Sequence, residues 1–157
     1  LLNNSTTRNV GDGAVIYVDN GNATVRISDT SAIGNTAGDD GGVIATEIDQ
    51  PGAAFDIRIT GDANDVFRGN SAGDDGGVIQ VHNDSIIFID GITIEDNEAR
   101  DDGGVIAVNN NTELFVSTPS DIFSGSNDAN DGDFLFSRND ISGEVQGFDF
   151  DTDFLIF

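Results

Sequence analysis

Gly38-Asp39-Asp40-Gly41-Gly42-Val43-Ile44 returns as Gly73-Asp74-Asp75-Gly76-Gly77-Val78-Ile79, and again as Arg100-Asp101-Asp102-Gly103-Gly104-Val105-Ile106. In each copy Asp-Gly and Gly-Gly mark a tight turn, and Val-Ile opens a β run. An Asn stands six residues before the first Gly of each Gly-Gly pair, at Asn35, Asn70 and Asn97. Two weaker copies flank these three, Gly11-Asp12-Gly13-Ala14-Val15-Ile16 and Asn130-Asp131-Gly132-Asp133-Phe134-Leu135. Measured from Gly13, Gly41, Gly76, Gly103 and Gly132, successive copies lie 28, 35, 27 and 29 residues apart. A signature recurring at this interval marks a repeat architecture.

Each repeat reads as three short strands separated by turns. The first follows the Gly pair: Val15–Val18, Val43–Ile48, Val78–Val81, Val105–Val108 and Phe134–Ser137. The second alternates and is rich in β-branched residues: Thr24–Ser28, Phe55–Thr60, Ile86–Asp90, Glu113–Ser117 and, weakly, Glu144–Phe150. The third precedes the Asn: Ser31–Ile33, Asp65–Phe67, Ile92–Ile94 and Ile122–Ser124. No window carries a 3.6-residue period with helix caps, so the chain is expected to be all-β. Three strands in series per repeat describe one turn of a parallel β-solenoid, whose stacked turns together bury a core that none could bury alone. Residues 1–157 are expected to form one domain of about five coils, roughly 24 Å long at the inter-strand spacing. The long repeat carries its extra residues around Asp49-Gln50-Pro51-Gly52, as a loop at one corner. A β-sandwich would not need the same seven residues at each turn.

Stacking predicts columns. Val25 and Ile27 align with Ile57 and Ile59, Ile87 and Ile89, and Leu114 and Val116, facing inward. Arg26, Arg58, Phe88 and Phe115 align between them, facing outward. Arg58 above Phe88 is a cation–π candidate, and Phe88 with Phe115 forms an apolar contact patch unless a loop covers it. Ile16, Ile44, Ile79, Ile106 and Leu135 are placed inside. Ile94 aligns with Phe67, Phe123 and Ala32. Asn35, Asn70 and Asn97 form a column that can pass amide hydrogen bonds from coil to coil, with Thr7 and Ser126 ending it.

Net charge is -23, with no Lys and no Cys. Such a chain repels nucleic acid and anionic membranes, and suits cations, salt-rich water or basic partners. Disulfide stapling is excluded, and no apolar run approaches the ~20 residues of a membrane-spanning helix. The chain opens without Met and ends at Phe157, and is expected to be a segment of a longer extracellular protein. Leu1-Leu2 and Phe154-Leu155-Ile156-Phe157 carry no polar cap, so both ends are expected to meet further coils of this chain or a neighbouring subunit.

Phe67-Arg68-Gly69-Asn70 followed by Gly76-Gly77-Val78-Ile79 resembles the paired motifs of the chlamydial polymorphic outer membrane protein repeat, a Phe-x-x-Asn and a Gly-Gly-Ala-Ile-like tetrapeptide in series. Gly-Gly-Val-Ile is intact at 41–44, 76–79 and 103–106, and Phe-x-x-Asn only at 67–70. The other copies read Ala32-Ile33-Gly34-Asn35, Ile94-Glu95-Asp96-Asn97 and Phe123-Ser124-Gly125-Ser126. The resemblance covers most of residues 30–136. It implies a right-handed parallel β-helix exposed at a cell surface, as an adhesin or autotransporter passenger. A structural or adhesive module is expected here, with self-association or end-to-end neighbours and a carbohydrate or protein ligand as partners.

The alternative expectation is a carbohydrate-active β-helix enzyme, a lyase or glycoside hydrolase working with paired carboxylates. Against it, the Asp residues recur once per coil rather than forming one unrepeated cluster. The sole His, His82, lies in an Asn-rich corner and is expected to be a solvated turn residue. An ice-binding face needs a regular array, which Arg26, Arg58, Phe88 and Phe115 do not provide. The nonapeptide Ca²⁺ repeat of β-rolls does not match the Asp-Asp-Gly-Gly order, and 128–133 lacks EF-hand spacing.

Stacked turns place Asp12, Asp40, Asp75, Asp102 and Asp131 in one column, and Asp39, Asp74 and Asp101 in another continued by Asn130. Like charges about 5 Å apart repel by roughly 0.8 kcal/mol per pair in water. Two offsets are expected: backbone N–H bonds accepted within each Asp's own turn, or Ca²⁺ bridging Asp40, Asp75 and Asp102 together with Asp39, Asp74 and Asp101. Asn-x-Ser/Thr triplets at Asn3, Asn4, Asn22, Asn83 and Asn110 arise readily in Asn-rich turns. Asn22, Asn83 and Asn110 share one corner, where a column of glycans is the alternative.

Overall fold

The computed structural model describes residues 1–6, 11–19, 21–47, 54–82, 84–109, 111–117, 127–130, 135–137, 141–145 and 154–156. Sixteen strands follow in order: β1 (Ile16–Asp19), β2 (Ala23–Ser28), β3 (Ala32–Ile33), β4 (Ile44–Glu47), β5 (Phe55–Thr60), β6 (Val66–Arg68), β7 (Ser71–Ala72), β8 (Ile79–Val81), β9 (Ser85–Asp90), β10 (Thr93–Glu95), β11 (Glu98–Ala99), β12 (Ile106–Val108), β13 (Thr112–Ser117), β14 (Leu135–Ser137), β15 (Ile141–Val145) and β16 (Phe154–Ile156). Among the described residues there is no helix. Strands pair with their counterparts one repeat away and always in parallel, in the orders β1-β4-β8-β12-β14-β16, β2-β5-β9-β13-β15, β3-β6-β10 and β7-β11. The chain is therefore an all-β parallel solenoid of about three turns. The expected five coils are not closed among the described residues, because corner segments such as 118–126 and 146–153 lie outside them.

The second sheet shows why these residues fold this way. Val25, Ile57 and Ile87 are in register, as are Ile27, Ile59 and Ile89, and all are buried. Leu114 and Val116 continue the two columns. Each fully buried aliphatic side chain contributes about 1.5–3 kcal/mol relative to exposure, before chain entropy is counted. Ala32, Phe67 and Ile94 stack against them from the third sheet.

The Gly-Gly pairs have two separate jobs. Gly41, Gly76 and Gly103 have φ between +63 and +67°, and a Cβ there would strike the carbonyl oxygen of Ile44, Ile79 or Ile106. Gly42 and Gly77 face the next coil, where a Cβ would strike the carbonyl oxygen of Gly77 or Gly104. The first Gly makes the turn and the second lets turns stack. Backbone bonds then run from turn to turn, Gly41 N to Asp75 O at 2.9 Å and Gly42 N to Gly76 O at 3.0 Å.

Several details differ from the sequence expectation. The first strands begin at the Ile, not the Val, because Val43 N and Ile44 N both donate to Val78 O and the Val belongs to the turn. Leaving the strand alternation there lets Val43, Val78 and Val105 join Ile44, Ile79 and Ile106 in the core. A fourth, two-residue strand follows the Asn in two repeats (β7, β11), so those repeats have four strands rather than three. The last second-type strand is Ile141–Val145, not 144–150, with Val145 opposite Val116. The third strand at 122–124 and the loop at 49–52 lie outside the described residues.

Candidate functional site

The Asn column links five asparagines, Asn4, Asn35, Asn70, Asn97 and Asn127. Asn4 Nδ2 donates to Asn35 Oδ1 at 2.8 Å, Asn35 to Asn70 at 2.8 Å, Asn70 to Asn97 at 2.9 Å and Asn97 to Asn127 at 3.1 Å. Each Oδ1 also accepts the backbone N–H of the preceding Asn, at 3.0 or 3.1 Å. The second Nδ2 proton of Asn70 and Asn97 reaches Ala32 O and Phe67 O, both at 3.0 Å. Asn35, Asn70 and Asn97 are fully buried, yet every amide group is used. The column continues through Asn4 and Asn127, not to Thr7 and Ser126. The corner spacing there is 31 and 30 residues, which differs from the spacing of the Gly turns.

The first Asp column is also a hydrogen-bonded ladder. Asp40 Oδ1 accepts Asp75 N and Asp75 Oδ1 accepts Asp102 N, both at 3.1 Å. The donor belongs to the next coil, not to the carboxylate's own turn as expected, because the stacked turns aim each N–H along the solenoid axis. Asp75 and Asp102 are buried, and Asp40 is half-buried. Burial, then the charges of Asp40 and Asp102, pushes the Asp75 carboxyl up to about 7. Asp12 and Asp74 are raised by the same causes, burial first and Asp40 next.

The second Asp column is exposed apart from half-buried Asp39. Carboxylate oxygens of Asp39, Asp40 and Asp74 lie within 4.8 Å of one another, as do those of Asp74, Asp75 and Asp101. That span is about twice a Ca²⁺–oxygen distance, so either triad could hold a hard cation. Asp131 and its neighbours up to 134 lie outside the described residues.

His82 is half-buried and hydrogen-bonded rather than fully solvated. Its Nε2 is 3.3 Å from Asp40 Oδ2 and its Nδ1 3.3 Å from Asn109 Nδ2. The Asp40 hydrogen bond raises the imidazole pKa more than burial lowers it. Sequence could not reveal this pair, whose members stand 42 residues apart and meet only because one coil's turn overlies the next coil's strand.

Arg26, Arg58, Phe88 and Phe115 do form one outward column in register. Arg58 Cζ sits 5.9 Å from the Phe88 ring centroid, and its Nε pairs with Asp56 at 2.8 Å. Phe88 and Phe115 are half-buried rather than exposed. Ile86 is an exposed aliphatic residue of that sheet, in the adjacent outward column with Thr24, Asp56 and Glu113. A groove of about 580 Å³ runs beside it, lined also by Asp84 and Asn111. Asn22, at its edge, is exposed, with its Oδ1 accepting Ala54 N at 2.9 Å. Asn83 and Asn110 lie outside the described residues. No protein-family model, curated protein or solved structure significantly matches this chain.

Proposed function

We propose that the chain is a structural or adhesive module of an extracellular or cell-surface protein: a right-handed parallel β-helix of about five coils that associates end to end. What carries this reading is the continuity of the ladders. The Asn column repeats one hydrogen-bond pattern from Asn4 to Asn127. Chemistry on a polysaccharide would need an unrepeated carboxylate pair. In the groove, Asp56 is instead engaged by Arg58 and by Arg26, the latter at 3.7 Å. The groove suits a carbohydrate or protein ligand held without turnover. The resemblance to the chlamydial surface-protein repeat points the same way. Imaging of native material, with sedimentation velocity over a hundredfold range of concentration, tests the proposal. Filaments or concentration-dependent oligomers are expected, and a monodisperse monomer throughout overturns it.

A further inference from the structure

The groove of about 580 Å³ is lined by the opening residues of β2, β5, β9 and β13, four successive strands in register. It therefore runs along the solenoid axis. Four strands about 4.8 Å apart give it a length of roughly 14 Å, which about five residues of extended chain would span. Strand alternation turns Phe55, Ser85 and Thr112 inward and Thr24, Asp56, Ile86 and Glu113 outward. The Ser85 and Thr112 hydroxyls bond to each other at 3.0 Å, which fixes the floor beneath.

Two features of the lining decide what fits. The first is apolar. Ile86 is 37% exposed in a column whose other members, Thr24, Asp56 and Glu113, are polar, and Ala54 is exposed at the rim. The second is one-sided charge. Asp56, Asp84 and Glu113 line the groove, and no Arg or His does. Arg58 and Arg26 offset Asp56 from the next outward column. Asp84 meets only a neutral amide, Asn111 Nδ2 at 3.4 Å, and both Asp84 and Glu113 are exposed. An anionic ligand is repelled there, and a neutral one leaves the charge unanswered. A sugar also finds no ring to stack on, since the lining aromatic, Phe55, is 2% exposed.

We propose that the groove docks an extended, basic protein segment, with an apolar side chain over Ile86 and Arg or Lys groups paired with Asp84 and Glu113. Burial of the apolar contact supplies affinity, and the two carboxylates select the partner. The inference rests on the adhesive reading and names its partner as a basic protein surface.

The test is fluorescence anisotropy at physiological ionic strength with a labelled Ser-Arg-Val-Arg-Val-Arg-Ser peptide. The net charge of the chain attracts any basic peptide, so variants of equal charge are compared. Asp84→Asn with Glu113→Gln should weaken the peptide at least about tenfold. Asp29→Asn with Glu98→Gln, at two exposed carboxylates outside this groove, should weaken it less than about twofold. Ile86→Ser should weaken it about fivefold, with an unchanged melting temperature. Sedimentation reads self-association separately, so this site and the end-to-end proposal can fail independently. Absence of peptide binding, equal losses in the two charge pairs, or full affinity in Ile86→Ser overturns the docking site. So does saturable binding of a neutral glucan hexamer that the Ile86 and Asp84 variants abolish, which would make the ligand a carbohydrate.

Discussion

Asn70 stands at the middle of the buried Asn column. Its Oδ1 accepts two N–H groups of Asn35, and its Nδ2 donates to Asn97 and Ala32. Asn70→Ala removes the amide and strands buried partners on three sides. A loss of about 2–4 kcal/mol is expected by denaturant titration, more than for a lone side-chain hydrogen bond, since the amides polarise one another along the column. Thr46 presents the opposite case. Its hydroxyl is buried without a partner, in a column with Val18 and Val81. Thr46→Val keeps the shape and removes the unpaired oxygen. The variant should be more stable by about 1 kcal/mol, and a loss of stability would mean the hydroxyl is bonded after all.

At the scale of the turn ladder, proton binding and folding are coupled with one sign. Asp75 moves from an ordinary value of 3.8 to about 7. A raised folded-state value means that its contribution is complete below the ordinary value and is lost as pH climbs to about 7. His82 is also raised, through Asp40, so its contribution is complete below the usual imidazole value of about 6.5 and is lost above it. Asp12 and Asp74 shift in the same direction. In chelator-containing buffer of constant ionic strength, the melting temperature should therefore fall from pH 5 to pH 8. Asp75→Asn keeps an acceptor for Asp102 N while removing the charge. It should raise the melting temperature at pH 8 and flatten the profile. A wild-type profile that rises over this interval would contradict the ladder's electrostatics.

Across the whole molecule, each coil is stabilised by its neighbours, so an end coil holds half the contacts of an interior one. Leu1 and Leu2 are 41% and 63% exposed at such an end, where Leu2 bridges to Ile33. With net charge -23, copies repel at long range, so the proposed end-to-end association would rest on short-range contacts of this kind. Leu2→Glu should cut self-association at physiological salt while changing unfolding free energy by no more than about 0.5 kcal/mol. Sedimentation and a denaturant melt on the same sample separate the two effects. Association unchanged in the variant would move the interface elsewhere.

The repeat was legible before any coordinates, because its cause is local. Asp-Gly-Gly at a fixed place forces a turn, alternating β-branched residues force a strand, and a constant interval stacks like on like. The same local rules set the inward columns of Val25, Ile57 and Ile87, and the outward column from Arg26 to Phe115. They do not set what depends on the neighbouring coil's offset. The short β7–β11 pair, the extension of the Asn column to Asn4 and Asn127, and the meeting of His82 with Asp40 all depend on how far each turn leans over the strand above. Gln80 reads in sequence as a surface residue in the opposite phase to the core. Only the tertiary structure decides that its amide is buried, since burial is set by what covers a residue and not by the strand that carries it.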